Sequence, residues 1–205
     1  GTTEAGPMVL GPRAGKSVPP MSAGVQVDGG DLKLIDKGGN ETDEGVLWQR
    51  SPANTPGYLN LPEKTAEVIT PDGWYNSGDV FRRDADGAYY FVGRDDDMFV
   101  CGGENIYPGE VEATLVSHPG VEQACVVPVP DDIKGEKPIA FVVKSHGSTV
   151  KADEVKQFAL ANAPAFQHPR MVIFMDELPL SGPGKIDRKG LEQQGREVWK
   201  SEEAK

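Results

Sequence analysis

The chain has 205 residues, enough for one large domain or two small ones. Charged residues at 26% and hydrophobic residues at 38% describe a folded globular chain rather than a disordered one, and no apolar run approaches the roughly 20 residues of a membrane span. The formal net charge of −11 argues against nucleic acid or an anionic membrane as the main partner, because both reward clustered Lys and Arg.

The chain opens "GTTEAGPMVLGPRAGKSVPP", without a Met at its first position and with no apolar strand or helix of its own, and reads as loop to about Pro20. Domains seldom begin inside a Gly/Pro-rich loop, so the expectation is a C-terminal piece of a longer polypeptide. From Val25 to Arg94 short strands alternate with turns. "DLKLID" alternates apolar and polar residues before the turn "KGGN"; "GVLWQRS" and, after "DADG", "GAYYFVGR" are further strands. "LPEKTAEVI" reads as a short helix with Pro62 in its first turn. Short strands joined by Gly-rich turns predict a small antiparallel, barrel-like subdomain.

The texture changes after Arg94. "DMFVCGGENIY" predicts a hairpin turning at Gly102 and Gly103, and "PGEVEATLVSHPG" an amphipathic helix stopped by Pro119-Gly120. "VEQACVVPV" and "KPIAFVVKS" are apolar strands, "KADEVKQFALANAP" a helix, "RMVIFMDELP" a strand and "KIDRKGLEQQGREVW" a closing helix. The second half is therefore α+β. The boundary falls in the charged run "GRDDD", dividing the chain into residues 1–95 and 96–205. Cys101 and Cys125 form no CxxC and read as reduced thiols of a cytoplasmic protein; His118, His146 and His168 lack metal-ligand spacing.

Four stretches stand in order: "GTTE" (Gly1–Glu4), "GWYNSGD" (Gly73–Asp79), "GRDDDMFVCGGENIYPGEVE" (Gly93–Glu112) and "PLSGPGKIDR" (Pro179–Arg188), with "PGYLNLPEKTAE" between the first two. Together they resemble the adenylate-forming superfamily of acyl- and aryl-CoA ligases, peptide-synthetase adenylation domains and luciferases. The resemblance covers the whole chain. It implies the C-terminal part of the large AMP-binding domain followed by a mobile C-terminal lid, with the phosphate-binding loop and most of the large domain lying upstream. It further implies two half-reactions. ATP activates a carboxylic acid as an acyl-adenylate, a thiol then takes the acyl group, and the lid rotates between the steps.

The roles implied follow residue by residue. Thr3 would donate to the α-phosphate, and Glu4 would hold Mg²⁺ as a hard oxygen ligand. Asp79 would accept both ribose hydroxyls; its plain alternative is a turn Asp after a Gly. Ser77 stands where the family more often has Thr, which keeps the hydroxyl. Arg94 would add a ribose or phosphate contact; its plain alternative is a salt bridge to the adjoining Asp95–Asp97 run. Asp96 is the hinge residue, otherwise a charged linker. Gly102 and Gly103 would let backbone approach the pantetheine arm of the thiol substrate.

Lys185, behind Gly182, Pro183 and Gly184, matches the catalytic lysine of adenylation. An ammonium between the carboxylate and the α-phosphate offsets their repulsion and the charge developing in the transition state. Within the family a CoA ligase is favoured, with ATP, Mg²⁺ and CoA as the implied ligands. Arg170, His168, Lys134 and Lys137 are candidate cations for the CoA phosphates, and Phe166 a candidate platform for its adenine. Two other readings stay open: an adenylation domain serving a carrier protein, and a non-catalytic binding module.

Overall fold

A computed structural model describes residues 2–6, 9–12, 17–182 and 184–203. Parts of the opening loop, and Pro183 of the "SGPGK" stretch, lie outside the described residues. The chain divides into two compact units, Gly1–Asp96 and Asp97–Lys205.

The first unit is built on seven antiparallel strands. In chain order these are β1 (Leu10–Gly11), β2 (Gly24–Gln26), β3 (Asp31–Ile35), β4 (Glu41–Thr42), β5 (Glu44–Arg50), β6 (Tyr75–Arg83) and β7 (Ala88–Arg94), with α1 (Pro62–Val68) between β5 and β6. Alternation sets the faces. Leu32, Leu34 and Leu47 join Val9, Phe81 and Tyr89 in the core. On the intervening positions Lys33 and Arg50 lie over the Trp74 ring at 4.1 and 4.8 Å. The β3–β4 turn is locked by Asp36, whose Oδ1 accepts the N–H groups of Gly38 and Asn40, each at 2.8 Å.

The barrel-like expectation is corrected. The sheet order is β1-β2-β7-β6-β5-β3-β4, an open sheet in which the two-residue edge strands β1 and β4 do not pair with each other among the described residues. A closed barrel needs its first and last strands paired, and among the described residues β1 pairs with β2 and β4 with β3 alone.

The second unit holds β8 (Phe99–Cys101), β9 (Glu104–Ile106), α2 (Pro108–Val116), β10 (Val121–Asp131), β11 (Gly135–Lys144), α3 (Ala152–Asn162), β12 (Met171–Met175) and α4 (Arg188–Glu203). β11 is central: it pairs antiparallel with β10 and β8 and parallel with β12. The apolar runs of β10 and β11 are explained by burial on both faces. Ala124, Val126, Ala140 and Val142 face a core shared with Val111 and Leu115 of α2 and Val155 and Ala159 of α3. Cys125, Val127, Ile139 and Phe141 face the other core, with Leu178 and with Leu191 of α4. The unit is thus a mixed sheet between two helical layers. No helix among the described residues is long and apolar enough to cross a membrane.

Candidate functional site

In the first unit Thr2–Gly6 forms a small loop closed by a bridge between Thr2 and Gly6, with Thr3 exposed at its turn. Glu4 is held from two sides. Its carbonyl accepts the Thr55 N–H at 2.6 Å, and its Oε1 accepts the Tyr58 hydroxyl at 3.0 Å. Burial and then the Glu4 charge push the Tyr75 phenol up to about 12, so Tyr75 stays neutral beside the carboxylate.

The "NSGD" stretch is the middle of β6, not a turn. Gly78 takes φ +69 inside the strand, and a side chain there would meet Arg94 Nη2 at 3.0 Å. This irregularity re-aims Asp79. Ser77 Oγ donates to the Leu47 carbonyl at 2.7 Å and accepts the Asp79 N–H at 3.0 Å. The hydroxyl that the sequence retains is therefore a backbone brace. Asp79 is 21% exposed and lines a cavity of about 150 Å³ with Thr2, Leu47, Gln49, Ser77 and Phe81. Gln49 is buried at 2% exposure, and its Oε1 has no protein partner.

Arg94, at the end of β7, makes the salt bridge into the Asp95–Asp97 run that was its plain alternative, and reaches Asp79 as well. Nη1 donates to the Ser77 carbonyl at 3.0 Å and to Asp79 Oδ1 at 3.1 Å, while Nε and Nη2 fork onto Asp96. The Asp96 hydrogen bonds, and secondarily Asp79, hold the guanidinium above its usual range.

In the second unit Lys185 stands in a tight hairpin. A bridge joins Leu180 and Ile186, and the Lys185 carbonyl accepts Ser181 N–H at 2.7 Å and Ser181 Oγ at 3.0 Å. Its carbonyl is thus held while the residue is exposed. Asp187 follows as the cap of α4, its Oδ1 accepting the Gly190 N–H at 3.1 Å.

Gly102 and Gly103 form the predicted turn between β8 and β9, with φ of +61 and +91, the succession a two-residue hairpin demands. Gly102 N–H donates to the Lys134 carbonyl at 2.9 Å. Nothing lies within 4 Å of where a Gly103 side chain would begin. Arg170 Nη1 meets His168 Nδ1 at 2.7 Å; burial first, then the Arg170 charge, lower the His168 pKa, with smaller contributions from Lys156 and Lys134. The Arg170 Nε is buried without a protein partner. Lys134, His168 and Arg170 therefore share one electrostatic neighbourhood.

Two of the candidates for CoA contact have partners within the unit. Lys137 pairs with Asp131 and lies over the Trp199 ring, which commits its charge elsewhere. Phe166 packs half-buried against the α2–α3 core. The cysteines are both free and buried. Sequence reasoning passed over Tyr58, Gln49, Glu112 and Arg188. All four lay inside the quoted stretches, but only what surrounds them in the fold reveals what they do.

Comparison with known proteins places residues 110–185 in the family described as AMP-binding enzyme C-terminal domain. The chain is 41% identical over 190 residues to a feruloyl-CoA synthase of Amycolatopsis sp, covering 91% of this chain and 38% of that protein. It is 37% identical over 199 residues to 4-coumarate–CoA ligase 2 of Nicotiana tabacum, covering 93% and 37%. A crystal structure of an anthranilate CoA ligase in complex with anthranoyl-AMP superposes with a TM-score of 0.86 at 31% identity, covering 97% of this chain and 39% of that one. The chain thus spans well under half the length of the relatives it matches.

Proposed function

Because the chain belongs to the adenylate-forming superfamily of AMP-binding enzymes, we propose that it supplies the C-terminal part of an ATP-dependent ligase that joins a carboxylic acid to CoA. An upstream domain of the same polypeptide would provide the phosphate-gripping loop and the acyl pocket. Two of the relatives are named for feruloyl and 4-coumarate thioesters, which favours an aromatic acid and favours CoA over a carrier protein as acceptor.

The observation that carries this reading is the Lys185 hairpin, with its carbonyl pinned by Ser181 and its ammonium left exposed. In the first half-reaction the acid's carboxylate attacks the α-phosphorus and pyrophosphate leaves. Lys185 sits between the two anions, and its charge is worth most where water is excluded. Asp79, braced by Ser77, keeps Oδ2 for ribose hydroxyls while Arg94 holds Oδ1. Thr3, exposed on its loop, donates to the α-phosphate.

The residues present fit a divalent cation bound mainly through nucleotide phosphates. Glu4 offers one oriented carboxylate, and no cluster of three acidic, His or Cys ligands stands among the described residues. Mg²⁺ bound there would neutralise phosphate charge.

In the second half-reaction the CoA thiolate attacks the acyl carbon and AMP leaves. The side-chain-free turn at Gly102–Gly103 lines the pantetheine path, and Lys134, His168 and Arg170 meet CoA phosphates. Asp96, the last residue of the first unit, serves as the hinge, with residues 96–205 as the moving lid. The test is to assay the polypeptide that contains this chain for acid-dependent ATP–pyrophosphate exchange and for thioester formation, using ferulate and 4-coumarate. Neither exchange nor thioester with any carboxylic acid tried would overturn the reading.

A further inference from the structure

Arg188 is the first residue of α4, followed by Lys189, and no acidic residue stands in that turn. The first turn is the positive end of the helix dipole, a poor place for two cations. Arg188 is relieved of this by what it touches. Nη1 donates to Glu112 Oε1 and to the Val126 carbonyl, each at 2.7 Å, and Nη2 to Glu112 Oε2 at 3.2 Å. Nε lies 3.6 Å from Asp97 Oδ2, at the start of the unit. Glu112 Oε1 also accepts the Val126 N–H at 2.7 Å. One carboxylate thus joins α2 to β10, and one guanidinium clasps both to the start of α4. The pair is largely buried, with side-chain exposures of 27% and 18%. A two-point Arg–carboxylate fork of this kind fixes direction as well as distance.

Among the described residues the Lys185 hairpin has no comparable hold of its own. Its hydrogen bonds are internal, between Ser181 and Lys185, Gly184 and Ser181, and Asp187 and Pro179. Its flanking apolar residues Leu180 and Ile186 are exposed. These bonds set the hairpin's shape. Its place on the unit must come from either end: buried Leu178 before it, and Arg188 with buried Leu191 after it.

We infer that Arg188 is a positioning residue: its clasp on Glu112 and the Val126 carbonyl sets where the Lys185 hairpin stands. This deepens the reading of Lys185 proposed above and rests on it for its consequence in catalysis. Lysine cannot replace the arginine, because a single ammonium does not span two carboxylate oxygens and a carbonyl in a fixed plane.

The test is backbone ¹⁵N relaxation on the 205-residue chain, wild type against Arg188→Ala, Arg188→Lys and Glu112→Gln. In Arg188→Ala the order parameters of Ser181, Gly184 and Lys185 are expected to fall from about 0.85 to below about 0.6, while those of β10 and β11 hold. Arg188→Lys should fail to restore them. Glu112→Gln, which keeps an acceptor for the Val126 N–H, should loosen the hairpin without disturbing β10. A hairpin that stays ordered in Arg188→Ala overturns the inference, as does equal loosening of β10 and β11, which would make Arg188 a general core contact.

In the whole ligase, Arg188→Ala should slow acyl-adenylate formation roughly a hundredfold, the order expected of a misplacement of about 1 Å, and spare thioester formation from a preformed acyl-adenylate. Equal loss in both steps contradicts it. Should Lys185→Ala leave adenylation untouched, the functional reading of the hairpin falls, and the relaxation data alone decide whether the clasp exists.

Discussion

Arg94 and Asp96 are joined by a two-point fork, Nε to Oδ1 at 3.0 Å and Nη2 to Oδ2 at 3.2 Å, while the remaining Arg94 nitrogen holds Asp79 at 3.1 Å. The last residue of the first unit is therefore tied, through one guanidinium, to the carboxylate proposed to bind ribose. The Arg94 hydrogen bonds hold the Asp96 carboxyl below the usual carboxylate range. A depressed folded-state value means that the fork's contribution to stability is complete above the unfolded Asp range and is lost as pH falls through the folded value. The stability difference between wild type and Asp96→Asn is predicted to be flat from neutral pH to about 5 and to shrink below about 4. Both side chains are well exposed, so it should be no more than about 1 kcal/mol. Denaturant titrations at several pH values check this, and a difference that grows toward acid contradicts it.

The joint itself is predicted to be the first point of proteolytic attack. Gly93 pairs with Val80 in the sheet and Asp95 N–H is held by the Gly78 carbonyl, so the vulnerable bonds are those from Asp95 to Met98. Limited proteolysis should yield two fragments cut there. Earlier cleavage near Gly38–Asn40 would show that the joint is the better protected segment. In the whole enzyme Asp96→Pro, which fixes φ, should impair one half-reaction far more than the other.

Gly103→Ala and Gly103→Leu separate strain from obstruction. Both place a Cβ at φ +91, so both should cost about the same in stability. Only leucine fills the space beyond the turn. Thioester formation is predicted to be much slower in Gly103→Leu than in Gly103→Ala, with adenylation equal in the two. Equal thioester rates would mean that the pantetheine path lies elsewhere.

Burial, then the nearby Glu112 and Asp97 carboxylates against the partly offsetting Arg188 charge, pushes the Cys125 thiol up to about 12. Cys101 is buried as well. Neither thiol should react with Ellman's reagent at pH 8 in the folded chain, and both should react in denaturant. Fast labelling of Cys125 in the native chain would contradict the double-layered packing of β10.

Much of this fold was legible locally. The alternation in "DLKLID", the paired glycines of "CGGEN" and the apolar runs of β10 and β11 each report a neighbourhood a few residues wide. The open edge of the first sheet was not legible, because whether β1 meets β4 is a long-range fact. Asp79 stood out through its motif as a candidate, but not as part of a strand, since Asn-Ser-Gly-Asp carries every mark of a turn. The supports of the site escaped for the same reason. Tyr58 and Glu4 are 54 residues apart, and Glu112 and Arg188 are 76 apart. Lys137 and Phe166 read as available because sequence shows a side chain's chemistry and not its partners.

The 205-residue chain by itself is predicted to show no carboxylate-dependent ATP–pyrophosphate exchange, because it spans only 38% of a relative such as the feruloyl-CoA synthase. Exchange well above background from this chain would show that the site is complete without upstream residues.

The central claim is that Lys185 serves adenylation, and Lys185→Ala in the whole ligase tests it most directly, with each half-reaction measured separately. Acyl-adenylate formation is predicted to fall by roughly a hundredfold or more, the usual cost of losing one preorganised charge. Thioester formation from synthetic acyl-adenylate and CoA is predicted to stay near wild type. Equal damage to both steps, or none to either, would contradict it.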